Sequence, residues 1–147
     1  MTNIEQEFLK ACANGDLDLV RELLNNKELD PTIKDYPFFN VEGDLTTDGN
    51  DAIIYAAHEG HSDIVSLLLQ DSRINPCISN NLPFRIAVNN NHINAASVLL
   101  EDDRLNVDDI KANNYPKYFL KQNPRIMETI NYVIRQVTIN KLLKEIS

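Results

Sequence analysis

Two histidines and a carboxylate fall within four residues, at His58, Glu59 and His61. Imidazole and carboxylate groups this close are typical of metal sites and of acid–base pairs. A zinc site on one helix usually places its histidines four residues apart and needs one or two further ligands. Here the histidines are three apart, Gly60 interrupts the helix between them, and no other cluster of such ligands stands out in the sequence. The spacing therefore argues against a metal site.

The two cysteines offer little more chemistry. Cys12 and Cys77 are too few for a disulfide framework, which favours reduced thiols and a cytoplasmic location. No histidine adjoins Cys77 to activate it. The sequence also lacks a glycine-rich phosphate loop, a Gly-x-Ser-x-Gly motif and a kinase signature. We expect no catalytic residue, no cofactor and no enzyme, with a metal-binding or enzymatic protein as the minor alternative.

Charge is distributed unevenly along the 147 residues. The net charge is −8, but residues 1–71 hold 15 acidic and 4 basic side chains, while residues 72–147 hold 7 and 10. An acidic front half disfavours nucleic acid and favours a protein partner with a basic or mixed surface, although acidic surfaces also simply keep proteins soluble. No apolar run approaches the about 20 residues that cross a bilayer, and no secretory signal precedes the first apolar stretch. We expect no membrane partner.

Three stretches of the sequence align without gaps, beginning at Ala11, Ala56 and Ala87. The second and third copies are 31 residues apart, and the first and second are 45 apart, so about 14 residues are inserted at 36–49. Each copy carries small apolar residues, a turn residue and then a leucine pair, which predicts two short amphipathic helices joined by a tight turn. One such pair buries too little apolar surface to be stable alone, so the copies must stack.

The aligned positions resemble the ankyrin repeat family. The second copy carries its turn glycine and following histidine at Gly60 and His61, and its leucine pair at Leu68 and Leu69. The third copy has Asn91 in place of that glycine, a mild exchange because asparagine tolerates left-handed backbone angles. His61 and His92 occupy equivalent positions, so both are interpreted as part of the repeat and not as ligands.

The resemblance implies an all-α, ankyrin-type solenoid of stacked helix-turn-helix repeats, capped at both ends. We predict a single domain over residues 1–147, with repeats at about 4–35, 48–78 and 79–111. A degenerate capping unit would cover 112–147, where the apolar stripe continues but two repeat registers conflict. Its basic side chains are interpreted either as a solvated helix face or as a mildly basic recognition surface.

The family usually binds partners through hairpin tips and the outward face of the first helices. Carried onto this chain, the resemblance implies contact residues in the first helices of the second and third copies: Tyr55, His58, Glu59, Ile86, Asn89 and Asn90. Tyr55 and Ile86 are candidate apolar anchors, or else pack between neighbouring helices. The insertion enlarges the first tip, and long irregular loops are often functional. Its candidates are Tyr36, Phe38, Phe39, Glu42, Asp44 and Asp48.

The sequence therefore predicts a monomeric, non-catalytic protein-interaction module or scaffold in the cytoplasm. The alternative is an effector or inhibitor that blocks or recruits a host protein, acting in the host cytosol or nucleus. This alternative depends only on resemblance between stretches such as "LLLQDSRINP" and repeats of viruses, amoebae and intracellular bacteria.

Overall fold

A computed structural model of the protein describes residues 1–35, 38–39, 45–46, 49–113, 121 and 123–147. For residues 38–39, 45–46 and 111–113 it describes the backbone alone. Eight helices and one short strand pair lie in these ranges. The helices are α1 (Asn3–Asn14), α2 (Leu17–Leu24), α3 (Asp51–Glu59), α4 (Ser62–Leu69), α5 (Ile78–Asn89), α6 (Ile93–Glu101), α7 (Val107–Asn113) and α8 (Pro124–Ile146); the strands are β1 (Phe38–Phe39) and β2 (Leu45–Thr46).

The helices form two stacked layers. α1, α3 and α5 pack in sequence order as the layer of first helices, while α2, α4 and α6 form the second layer and α8 packs on α6. The predicted all-α solenoid of stacked helix-turn-helix repeats is confirmed. The antiparallel pair of β1 with β2 is a small addition inside the insertion, which the sequence did not predict.

The core lies between the layers and follows the repeat. The small residues Ala11, Ala56 and Ala87 are 3% exposed or less, which allows neighbouring first helices to approach closely. Leu68 and Leu99 of the second helices are fully buried between repeats. Burial of apolar area between neighbouring repeats is the main force that stabilises the stack, because each repeat contacts only the repeats next to it.

Helix α5 begins in an unusual way. Ser79, Asn80 and Asn81 all have left-handed backbone angles, with φ of 48°, 60° and 59°, so the regular right-handed helix starts only at Leu82. Arg85 is 3% exposed and donates from its guanidinium group to the carbonyls of Asn80 at 2.9 Å and Ser79 at 2.7 Å. A buried arginine therefore stabilises a run of three left-handed residues, a conformation that asparagine tolerates at single positions but not in succession.

Helix α8 packs on the third repeat, against α6 and α5. Pro124 stands in its first turn, where a missing amide hydrogen costs nothing. Its buried residues are Ile130, Val133 and Val137, and every residue from 138 to 147 is exposed. The first half of α8 packs against the repeats, and the second half extends beyond them.

Candidate functional site

The histidines at 58 and 61 do not form one site. His58 Nδ1 lies 2.8 Å from Glu59 Oε1, and both side chains are about half exposed. His61 turns away from this pair and places its Nε2 atom 2.9 Å from the carbonyl oxygen of Ala13 in the preceding repeat. The interpretation of His61 as an architectural residue is confirmed, because its ring joins two repeats.

The rings of His61 and His92 each fill the space beside the turn glycine of the preceding repeat. Gly15 has φ of 82°, and a Cβ atom there would lie 2.8 Å from Cε1 of His61. Gly60 has φ of 78°, and a Cβ atom there would lie 2.5 Å from Nδ1 of His92. The glycine of one repeat and the histidine of the next therefore form one packing unit at each of these two turns.

The described residues contain no group of three or more histidines, cysteines, aspartates or glutamates that could hold a metal ion. Cys12 is fully buried, as expected for a small core residue, and burial raises the pKa of its thiol to about 12. Cys77 is half-buried, its thiol donates to the carbonyl of Arg104 at 3.2 Å, and burial raises its pKa as well. Both thiols are free, and neither environment favours the reactive thiolate.

An open cavity of about 370 Å³ lies between α1 and α3 on the first-helix layer. It is lined by Met1, Gln6, Leu9, Lys10, Ala13, Asp35 and Tyr55. The Tyr55 hydroxyl donates to Oδ2 of Asp35 at 3.1 Å, so an aromatic ring and a carboxylate meet at one wall. Burial, followed by the nearby charge of Asp35, raises the pKa of Tyr55 to about 12. The tyrosine therefore stays protonated at any physiological pH.

The base of the insertion is closed beside this cavity. The amides of Asn50 and Asp51 donate to the carbonyls of Thr32 and Ile33, and the Asp35 amide donates to Oδ2 of Asp51 at 2.6 Å. Asp51 is 1% exposed, and burial is the main cause that raises the pKa of its carboxyl group. The two ends of the insertion are therefore held together independently of the residues between them.

The predicted contact residues of the first helices separate into two groups. Tyr55, His58 and Glu59 reach the surface of α3, and Tyr55 also packs partly against the core. Asn90 is exposed at the end of α5, where its side chain donates to the Ile86 carbonyl. For this group the structure leaves a surface available to a partner.

Ile86 is different, because its side chain is 2% exposed and packs with Ile54, Ile78 and Leu82. Its assignment as a surface anchor is corrected here, and the alternative of packing between helices holds. Asn89 is half-buried, and its Oδ1 atom has no hydrogen-bond partner among the described residues. This difference could not be predicted from the sequence, since α5 is apolar on several sides.

Most candidates in the insertion lie outside the described residues. These are Tyr36, Glu42, Asp44 and Asp48. For Phe38 and Phe39 the backbone alone is described, in β1, where they pair with Thr46 and Leu45 respectively. The prediction that these six residues contact a partner remains a prediction.

The same aspartate–arginine ion pair occurs in two successive repeats, and it was not predicted from the sequence. Arg73 pairs with Asp71 at 2.7 Å and donates to the Leu29 carbonyl, and Arg104 pairs with Asp102 at 2.8 Å. Arg104 also donates to the carbonyl of Ile74 at 2.6 Å, so each arginine reaches back to the preceding repeat. The signal was the Asp-x-Arg triplet, which recurs at the repeat offset of 31 residues.

The sequence model for ankyrin repeats, with three copies, matches residues 8–111. Neither the curated proteins nor the solved structures include a significant match to the chain. Within the described part of the chain, no helix combines the length and the apolar character needed to cross a membrane.

Proposed function

Because the chain belongs to the ankyrin repeat family, we propose that it is a non-catalytic module that binds another protein through the exposed side of its first helices. Ankyrin repeats are generally protein–protein interaction modules. The observation that carries the proposal is the cavity between α1 and α3, where Tyr55 and Asp35 meet. Binding sites commonly combine an apolar floor with a few polar groups that fix orientation.

The wall of the cavity formed by Tyr55 and Asp35 favours a basic side chain of the partner, although Lys10 also lines the cavity. Leu9 and Tyr55 supply apolar surface for an aliphatic stem, while Asp35 supplies a carboxylate that already accepts one hydrogen bond. A carboxylate retains further acceptor positions, so it can also accept from an arginine or lysine. The excess of acidic side chains in residues 1–71 would attract the same kind of partner.

Binding is tested by a substitution at the exposed rim of the cavity. Gln6→Arg introduces bulk and positive charge there without removing a core contact, because Gln6 is exposed. Asn25→Arg is the matched control, since it adds the same charge at the exposed end of α2, in the other layer. A partner captured by the wild type and quantified by calorimetry should bind Asn25→Arg normally and Gln6→Arg at least tenfold more weakly. Equal affinities would contradict this site.

The insertion is proposed to add specificity to the same surface. Its ends are held by the hydrogen bonds of Asn50, Asp51 and Asp35, so a short Gly-Ser linker in place of residues 36–48 should leave the helices intact. We expect the linker variant to keep the wild-type circular dichroism and melting transition but to lose affinity for the partner. Unchanged affinity would remove the insertion from the binding surface.

Whether the module is a scaffold or an inhibitor depends on the partner. An inhibitor or host-directed effector would suppress the activity of the captured protein in a purified assay, and a scaffold would leave that activity unchanged. A cytoplasmic location is proposed as well, supported by the two free thiols. Fluorescent fusions in fixed cells test the location directly.

A further inference from the structure

Helix α8 carries apolar side chains on two opposite faces. One face holds Ile130, Val133 and Val137, which are at most 3% exposed and pack against the repeats. The other face holds a row that we call the outer stripe: Tyr132, Ile139, Leu142, Leu143 and Ile146. At about 100° per residue, the centres of the two rows are on opposite sides of the helix. The outer stripe therefore has no partner in the repeat stack.

The outer stripe is more exposed than any other apolar surface that the structure describes. Its side chains are between 47% and 83% exposed, and among the described residues the only other large apolar side chain in this class is Met1. The last four members follow the i, i+3, i+4, i+7 spacing of a helix face that packs on another element. Exposed apolar side chains gathered in one row of this kind are typical of an interaction surface, so this stripe points to an interface.

We propose that the outer stripe docks on the outer stripe of a second copy of this chain, with the two α8 helices antiparallel. Arg135 and Glu145 are ten residues apart and lie on the same side of the stripe's centre line, Arg135 close to Leu142 and Glu145 beyond the edge. A two-fold axis near residue 140 brings Arg135 of one copy beside Glu145 of the other, and the same pair repeats across the axis. In a parallel pair, the two-fold axis would instead place this flank beside the opposite, uncharged flank of the other copy, and neither Arg135 nor Glu145 would gain an oppositely charged partner.

The remaining charges of the segment are compatible with this contact. Lys141 and Lys144 are on the reverse side of α8, and Lys141 reaches Asp103 of its own chain at 3.7 Å. Asn140 and Gln136 are on the other flank, which leaves that edge polar and uncharged. Positive charge is therefore kept out of the contact, apart from the Arg135 that meets Glu145.

The described part of the chain leaves the outer stripe accessible to a second copy. Residues 138–147 are all exposed, and the buried residues of α8 are confined to Ile130, Val133 and Val137. In the antiparallel pair, the two repeat stacks lie on opposite sides of the paired helices, because each outer stripe faces away from its own stack. The stripe would bury about 500 Å² of surface on each copy and therefore about 1,000 Å² in total, which is close to the smallest total area of a specific interface. We therefore expect a weak, reversible dimer in place of the monomer that the sequence suggested.

Sedimentation equilibrium over a range of concentrations tests the dimer. The wild type should show a monomer–dimer equilibrium, and the double variant Leu142→Ser with Leu143→Ser should weaken association at least tenfold. Lys144→Ser is the matched control on the reverse side of α8 and should behave like the wild type. All of these residues are exposed, so circular dichroism should confirm that each variant folds normally.

A charge exchange tests the orientation. Arg135→Glu and Glu145→Arg should each weaken the dimer, and the double exchange should restore it. A wild type that stays monomeric up to its solubility limit would overturn the proposal. A dimer dissociation constant that is unchanged by the two leucine substitutions, or by either single charge substitution, would overturn it too. Vesicles of anionic phospholipid are included, because stripe-dependent binding of a monomer to them would identify a membrane as the occupant. None of these outcomes depends on the partner site between α1 and α3.

Discussion

The ring of His92 occupies the space in which a side chain at Gly60 would have to lie, with Nδ1 only 2.5 Å from the position of that Cβ atom. His61 stands in the same relationship to Gly15. Glycine is required here for two reasons: its backbone is left-handed, and the histidine of the next repeat packs against it. This explains why the sequence pairs a turn glycine in one repeat with a histidine one repeat later.

Substitution of Gly60 by alanine should destabilise the protein by about 2 kcal/mol, since left-handed alanine is strained and its methyl group meets the His92 ring. Asn91 has φ of 58° in the corresponding turn, so Asn91→Ala is a control for the backbone strain alone. Urea unfolding of both variants measures the difference. His92→Ala should recover part of the loss in the Gly60→Ala background, and strict additivity of the two changes would contradict direct contact.

The Asp102–Arg104 pair should make the protein sensitive to acid. The side-chain hydrogen bond from Arg104 is the main cause that lowers the pKa of Asp102 below its usual value of 3.8. A carboxyl group whose pKa is lower in the folded state than in the unfolded state stabilises the folded protein at pH values above its unfolded-state pKa. That contribution disappears as the pH falls through its folded-state pKa. Arg104→Met should therefore lower stability at neutral pH, by about 1 kcal/mol for this partly exposed pair.

The same variant should also lose less stability than the wild type as the pH falls below about 4, where Asp102 becomes protonated. Urea unfolding of both proteins across this pH range provides the measurement. Parallel stability curves over the whole range would show that the ion pair contributes nothing specific. Lys141→Met is a suitable control, because its pair with Asp103 involves a carboxylate that is 99% exposed.

Tyr55 should ionise unusually late in an alkaline titration. Burial and the Asp35 carboxylate raise the pKa of its hydroxyl to about 12, and the ultraviolet absorbance of tyrosinate reports that ionisation. The late phase should disappear in Tyr55→Phe. Asp35→Asn should move it only part of the way to lower pH, because burial is the larger cause and remains. A late phase that neither substitution changes would belong to another tyrosine.

The two thiols should react at very different rates with an aromatic disulfide reagent. Cys77 is half-buried and should be modified slowly in the folded protein, while Cys12 is fully buried and should react only after unfolding. Cys77→Ser should remove the first phase and leave the second. Early modification of Cys12 would show that the first repeat opens readily.

Local sequence patterns determined the helix pairs, the turn glycines and the role of His61. Each of these depends on residues a few positions apart, such as Gly60 and the apolar residues on either side of it, and the same pattern occurs in three copies. Ankyrin-type stacking followed, because such helix pairs bury too little surface alone. The position of the insertion also followed from the difference between two repeat offsets.

Contacts between distant residues were decided by the tertiary structure alone. Ile86 and Tyr55 both read as apolar members of a first helix, yet Ile86 is enclosed by Ile54 and Leu82 while Tyr55 reaches Asp35, twenty residues earlier. The direction in which Arg104 reaches back to Ile74 is equally invisible in the sequence. Periodicity defines a helix face, but burial depends on which neighbour covers that face, and α8 is apolar on two faces of which the repeats cover only one.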